Sequence, residues 1–228
     1  MPAILTSRLE FPDPRLADEE GLVAVGGDLS VPRLLLAYRT GIFPWTVKPI
    51  TWWSPDPRAI FELNAFHLSR SFVRILRKQR FEVTIDRAFP EVIKGCAAPA
   101  GGRRTTWITP EFHAAYGRLH SEGHAHSVEC WEEGKLAGGI YGVAIGAFFA
   151  GESMFHRVSE GSKVALYFLM EHLRSRDYKL FDIQMLTPIT ERLGGTTISR
   201  EKYLRRLAEA VSTPSVFLSP GYNPGATI

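Results

Sequence analysis

The chain has 228 residues, 45% hydrophobic and 22% charged, with a formal net charge of +3. This is ordinary globular composition with enough apolar material for one large core, and apolar runs such as 144–150 are too short to span a bilayer. The stretch 1–10 lacks the basic-then-apolar pattern of a secretory leader, so a cytoplasmic location is expected.

The first segment is rich in proline. One helix stands out, with Ser30 as N-cap, Pro32 in the first turn, Leu34, Leu35, Leu36 and Tyr38 inside, and Gly41 at the end. Prolines at 44, 49, 55 and 57 then forbid a long regular element, and a domain boundary is expected near residue 60. Beyond it, 68–78 reads as a helix, 81–86 as a strand, and 88–97 and 110–122 as helices, the second capped by Thr109. Residues 127–131, 136–145 and 148–155 read as three consecutive strands with glycine-containing turns. An amphipathic helix over 162–176, a strand over 179–186 and a helix over 200–211 complete a mixed α/β sheet arrangement.

Charge is unevenly placed. Between Arg58 and Arg104 there are ten Lys/Arg and four Asp/Glu, a local balance of +6. Within that stretch Arg70, Arg74, Arg77 and Lys78 fall on one helical face, opposite Leu68, Phe72, Ile75 and Leu76. Four cations together repel unless an anion lies across them. The face is either merely solvated or a seat for a phosphodiester backbone. Trp45, Trp52, Trp53, Trp107 and Tyr116 flank this region. They serve either as core fillers or as a surface on which bases stack.

Acids stand inside apolar strands at Glu152 and Asp182, and Asp182 and Gln184 share one strand face. Such acids need a partner. The partner is an internal cation or a neighbouring loop that the acid caps, or an amine-bearing substrate in a cleft lined by all three residues. Cys96 and Cys130 form no CxxC pair, and His124 and His126 lack companions at zinc spacing, so structural histidines are expected. The junction 156–163 could hold an anion at a helix start, but Arg157 is followed only by Gly161 and Lys163. The glycine pattern that cradles acetyl-CoA pyrophosphate is absent, which disfavours an ordinary N-acetyltransferase. A non-catalytic nucleic-acid-binding protein would leave Glu152, Asp182 and Gln184 without a role.

In order along the chain stand Gly26-Gly27-Asp28-Leu29, Gly41-Ile42-Phe43-Pro44-Trp45, 52–58, Thr106-Trp107-Ile108-Thr109, 123–127, 151–155 and Asp182-Ile183-Gln184. Together they resemble the bacterial leucyl/phenylalanyl-tRNA–protein transferase family over nearly the whole chain. The resemblance implies an α+β fold, with a small N-terminal domain (1–60) and a C-terminal acetyltransferase-like (GNAT) domain with a mixed sheet (61–228). It implies transfer of Leu or Phe, less often Met, from charged tRNA to an N-terminal Arg or Lys of acceptor proteins, marking them for N-end-rule degradation. No ATP, metal or coenzyme A is implied, no membrane, and a monomer is expected. By the same resemblance Trp45, Trp107 and Tyr116 hold the aminoacyl-adenosine. Ile140, Phe149, Met154 and Phe181 surround the donor side chain, Ile140 standing where the family often has Met. Glu152, Asp182 and Gln184 form the reaction centre, with Asp182 orienting Gln184. Arg70, Arg74, Arg77 and Lys78 touch the tRNA acceptor stem.

Overall fold

The computed structural model describes residues 2–66, 68–99, 106–219 and 221–222; Arg103 and Arg104 of the basic stretch lie outside these. The elements run β1 (Ala3–Leu5), β2 (Leu22–Gly26), α1 (Val31–Arg39), β3 (Phe43–Val47), β4 (Ile50–Trp53), β5 (Arg58–Phe61), α2 (Arg70–Arg77), β6 (Glu82–Ile85), α3 (Phe89–Ala97) and α4 (Pro110–Ser121). They continue with β7 (Ala125–Glu132), β8 (Lys135–Ile145), β9 (Phe148–His156), α5 (Gly161–Ser175), β10 (Leu180–Gln184), α6 (Pro188–Arg192), β11 (Gly195–Ile198) and α7 (Arg200–Ser212).

Among the described residues two sheets form. The smaller has the order β1-β2-β4-β3, and the larger is a mixed sheet of order β11-β5-β10-β9-β8-β7-β6. The expected α+β class, with a smaller N-terminal part and a larger mixed sheet, is what the chain adopts. The long strands β7, β8 and β9 pair antiparallel, and β9 pairs β10 parallel. Strand period two separates neighbouring side chains. Phe148 faces a core shared with Phe89, Tyr116, Tyr203 and the N-terminal residues Val23, Leu34 and Trp52. Phe149 faces the opposite core with Phe72, Val128, Leu169 and Phe217.

Helix starts follow the local chemistry. The Thr109 hydroxyl accepts from Phe112 N and Pro110 occupies the first turn of α4. Ser69 does the same for α2 through Phe72 N at 3.2 Å, and Thr187 with Thr190 forms a capping box on α6. Ser30 stands at the N-cap of α1 as expected, but its hydroxyl makes no cap bond. Instead the Asp28 carboxylate accepts the Ser30 N–H at 2.9 Å.

Some expectations needed correction. The proline-rich stretch holds no long element, as expected, but it does hold two short strands, β3 and β4. Pro44 is accommodated in β3 because β3 is the edge strand of its sheet, where a missing N–H costs no ladder bond. Strand β5 already belongs to the larger sheet, between β10 and β11. Leu68 precedes α2 and is 38% exposed, so it does not share the buried face of Phe72. The expected strand 179–186 stops at Gln184, whose φ of 56° leaves the extended region.

Candidate active site

The cleft arises where β9 and β10 part. Their parallel ladder runs from Leu180–Phe148 to Asp182–Ala150 and goes no further. On its other side β9 bulges against β8. Tyr141 opposes Ser153 and Gly142 opposes Gly151, leaving Glu152 without a counterpart. A bulge of this kind re-aims the extra side chain. Glycine is required at 142, where a Cβ would lie 2.2 Å from Ala150 O and 2.5 Å from the Phe149 ring. Between the parted strands opens a recess of about 190 Å³, lined by Glu152, Gln184, Ile183 and Met185 and walled by Phe43, Trp45 and Trp107.

Glu152 is the hub of the polar groups there. Its Oε1 accepts from Tyr38 OH at 2.8 Å and from Gln184 Nε2 at 3.1 Å, and its Oε2 accepts from Tyr116 OH at 2.8 Å. Tyr38 and Tyr116 hydroxyls also touch each other at 2.6 Å. Burial pushes the Glu152 carboxyl up to about 7, against the opposing pull of the two tyrosine hydroxyls. Burial and the neighbouring carboxylate hold both tyrosines well above their ordinary value, so they remain donors at neutral pH. Since an ionised carboxylate only accepts, the Gln184 NH₂ must face Glu152, and the amide oxygen is left to accept from elsewhere.

Asp182 sits behind this hub and is fully buried. Arg58 Nε donates to its Oδ1 at 2.8 Å and Arg58 Nη2 to its Oδ2 at 2.6 Å. Tyr203 OH reaches Oδ2 at 2.9 Å, and the Gln184 backbone N–H reaches Oδ1 at 2.9 Å. Burial works against the Arg58 charge, but Asp182 more than offsets it and drives the guanidinium further above its usual range. The guanidinium lies 4.5 Å from the Tyr203 ring and 4.7 Å from the Phe43 ring. The expectation that Asp182 offers a carboxylate to the cleft therefore fails. Of its open readings, the internal salt bridge is present, together with a bond that caps the neighbouring turn. Its bond to the Gln184 N–H does fix the turn that carries Gln184.

The other expected residues divide. Trp45, 36% exposed, and Trp107 wall the recess. Tyr116 is fully buried and reaches the site only through its hydroxyl, so in this structure it offers no face for stacking. Trp52 is likewise a core residue, its indole donating to Gly26 O at 2.8 Å. Ile140, Phe149 and Phe181 are buried in the second core with Met154 packed against it; Ile140 opposes Met154 in register, and the Phe149 and Phe181 rings lie 5.4 Å apart. Arg70, Arg74, Arg77 and Lys78 are all exposed on α2 and do not line the recess.

At the start of α5 the junction is occupied by protein. Gly138 packs so closely that a Cβ there would lie 2.7 Å from Gly161 C, and the Glu160 carboxylate pairs with Lys163 at 3.0 Å. An acid in that place opposes anion binding. His126 proves structural, its ring stacked on Phe217 and its Nδ1 2.6 Å from Asp86 Oδ2. Among the described residues, no helix is long and apolar enough to cross a membrane.

Tyr38, Arg58 and Tyr203 were not singled out from the sequence. Arg58 carried a signal related to that of Asp182, a charge that opens an apolar strand, Arg-Ala-Ile-Phe, where Asp182 interrupts one. Nothing marks Tyr38 and Tyr203, which look like ordinary core residues of amphipathic helices.

The comparisons with known proteins agree with one another. The family model "Leucyl/phenylalanyl-tRNA protein transferase" matches residues 60–208, and the model of that family's N-terminal domain matches residues 27–56. The leucyl/phenylalanyl-tRNA–protein transferase of Syntrophobacter fumaroxidans is 51% identical over 210 residues, 91% of this chain and 90% of its own. That of Shewanella sp. (strain W3-18-1) is 50% identical over 203 residues, 87% of this chain and 86% of its own. Among solved structures, L-PGS from Bacillus licheniformis aligns with a TM-score of 0.42 and 12% identity, covering 75% of this chain and 55% of its own. A ribosomal-protein-alanine N-acetyltransferase from Brucella melitensis biovar Abortus 2308 aligns with a TM-score of 0.35 and 14% identity, covering 62% of this chain and 99% of its own. Likenesses this weak say nothing about function. Half-identity over almost the full length of both chains does: this protein belongs to the leucyl/phenylalanyl-tRNA–protein transferase family, enzymes that transfer an aminoacyl group from tRNA to protein.

Proposed function

We propose that the chain moves Leu or Phe, and less often Met, from charged tRNA to the N-terminal Arg or Lys of acceptor proteins. Acting in the cytoplasm as a monomer, it thereby marks them for N-end-rule degradation. The observation that carries this reading is the chain of bonds from Tyr38 and Tyr116 through Glu152 to Gln184 at the floor of the tryptophan-walled recess.

The donor ester is already activated, so the enzyme's work is to place two substrates and manage one proton. Trp45 and Trp107 hold the aminoacyl-adenosine from the walls, and Tyr116 assists from beneath through Glu152. The donor's apolar side chain lodges against Met154, the half-buried member of the group with Ile140, Phe149 and Phe181. The amine enters beside Gln184, whose free amide oxygen accepts one of its N–H groups. An amide is a weak base, so its part is positioning. Glu152, brought near neutral by burial, is the group able to take up the proton of an amine whose pKa is ~8. The ammonium first gives one proton to solvent; the neutral amine nitrogen then bonds to the ester carbonyl carbon, Glu152 takes the second proton that the nitrogen sheds, the carbon–oxygen bond to the ribose breaks, and that second proton passes from Glu152 to the departing ribose oxygen. Asp182, neutralised by Arg58, sets the backbone of Gln184. Arg70, Arg74, Arg77 and Lys78 steer the acceptor stem from α2.

The test is direct. Labelled Leu-tRNA, an Arg-initiated peptide and the purified chain should yield labelled peptide without ATP or acetyl-CoA. Free labelled leucine as the sole product would contradict the reading.

A further inference from the structure

A second recess adjoins the first. About 200 Å³ in volume, it is lined by Glu20, Phe43, Trp45, Trp53, Pro55 and Met185. Phe43, Trp45 and Met185 belong to both recesses, so a bound group can reach from one into the other. Three of the six lining residues are aromatic, and one is a carboxylate.

The loop that presents Glu20 is built rather than loose. The Asp18 Oδ1 accepts from Glu20 N at 3.1 Å and from Leu22 N at 2.8 Å, and Gly21 N donates to Asp18 O at 3.0 Å. Gly21 has φ +98°, and a Cβ there would lie 2.7 Å from Pro55 Cα, so only glycine lets this turn close on the Pro55 wall. Its carbonyl accepts the Ser54 N–H at 2.7 Å. Glu20 itself is exposed, and among the described residues its carboxylate has no ion-pair partner.

The carboxylates of the reaction centre are already engaged. Asp182 accepts four bonds from Arg58, Tyr203 and the Gln184 backbone. Glu152 accepts three, from Tyr38, Tyr116 and Gln184. Asp182 has no capacity to spare for a cationic side chain, and the one acceptor place left on Glu152 is the one the attacking amine uses. We propose that the recess of Glu20, Trp45 and Trp53 receives the cationic side chain of the acceptor's first residue while its α-amine lies at Gln184. This rests on the transfer reading above. Cations favour the faces of tryptophan rings, and a carboxylate at the rim completes the charge pairing. The planar guanidinium of Arg both stacks on aromatic rings and pairs bidentately, so Arg is the better occupant and Lys the weaker. A tRNA phosphate is the wrong occupant, because Glu20 repels it.

The test measures peptide affinity and transfer separately. Binding of Arg-, Lys- and citrulline-initiated peptides is followed by intrinsic tryptophan fluorescence, and transfer from labelled Leu-tRNA by steady-state kinetics. Citrulline keeps the shape of Arg without its charge. Glu20→Gln should raise Kd and KM for the Arg peptide about two- to fivefold, as expected for one solvent-exposed ion pair. The kcat and the KM for Leu-tRNA should stay within about twofold, and citrulline-peptide affinity should not change. Glu20→Lys should raise both constants for the Arg peptide more than tenfold. Unchanged Arg-peptide Kd and KM in both variants, or an effect confined to the KM of Leu-tRNA, overturns the proposal. If the wild-type chain binds Arg peptides in this Glu20-dependent way yet transfers nothing to them, the recess stands and the transfer reading fails.

Discussion

Glu152 Oε1 accepts the Gln184 side-chain N–H at 3.1 Å, and this contact decides which end of the amide faces the cleft. It is also the contact whose strength depends on pH, since burial has brought Glu152 up to about 7.

Replacing Glu152 by Gln should lower kcat about a hundredfold, the usual scale for losing a positioned base. For the wild-type chain, kcat/KM should rise with pH through about 7 as Glu152 ionises, and again near ~8 as the acceptor amine loses its proton. The variant should keep only the upper limb. A pH–rate profile with the lower limb intact in Glu152→Gln would assign that limb elsewhere.

The pair Arg58–Asp182 makes a separate prediction about stability. Arg58→Gln leaves a fully buried Asp182 with its cation gone. Breaking a buried pair from one side costs about 3–5 kcal/mol. Asp182→Asn leaves Arg58 unpaired and should destabilise to a similar degree. The double variant Arg58→Gln/Asp182→Asn carries no buried charge and should recover part of the loss. Urea melts of the four proteins check this, and a double variant no better than either single one would contradict the reading.

Much of the fold was legible because long, uninterrupted patterns carry their own period. The strands β7, β8 and β9 and the helix α5 came within a few residues of their bounds. The N-terminal strands did not, because at three to five residues they are too short to show a period, and only the edge position of β3 makes Pro44 tolerable. At the site, the sequence marked Glu152, Asp182 and Gln184 as unusual but did not say which was free. Arg58 lies 124 residues from Asp182, and no local pattern links them. The bulge that isolates Glu152 exists only in the register between β8 and β9, so neither strand announces it alone.

A second buried acid gives a pH dependence unrelated to catalysis. Glu129 accepts from Thr84 Oγ1 at 2.7 Å and from the Ser127 hydroxyl, and burial pushes it up to about 7. Its stabilising contribution is full below its unfolded value of 4.5 and is lost as pH rises through about 7. The stability of the wild-type chain minus that of Glu129→Gln should therefore fall by roughly 3 kcal/mol between those limits and be flat above them. Thermal melts across pH 5 to 8 supply the comparison. A difference that does not change with pH would place the Glu129 pKa at its ordinary value.

The exposed cations of α2 should act on tRNA alone. Arg74→Ala/Arg77→Ala should weaken binding of charged tRNA and reduce the slope of log affinity against log salt by about 1–2, as two lost phosphate contacts predict. Thermal stability should hardly move, because both side chains are solvent-exposed. Wild-type tRNA binding by the double variant at low salt would show the face to be merely solvated.

In the proposed mechanism Gln184 places the attacking amine while other residues hold the donor. Single-turnover transfer from pre-bound, labelled Leu-tRNA to an Arg-initiated peptide, compared between the wild-type chain and Gln184→Ala, tests it most directly. The variant should bind Leu-tRNA within about twofold of wild type but transfer leucine at least about a hundredfold more slowly. Transfer at the wild-type rate by Gln184→Ala, with the donor equally bound, would contradict it.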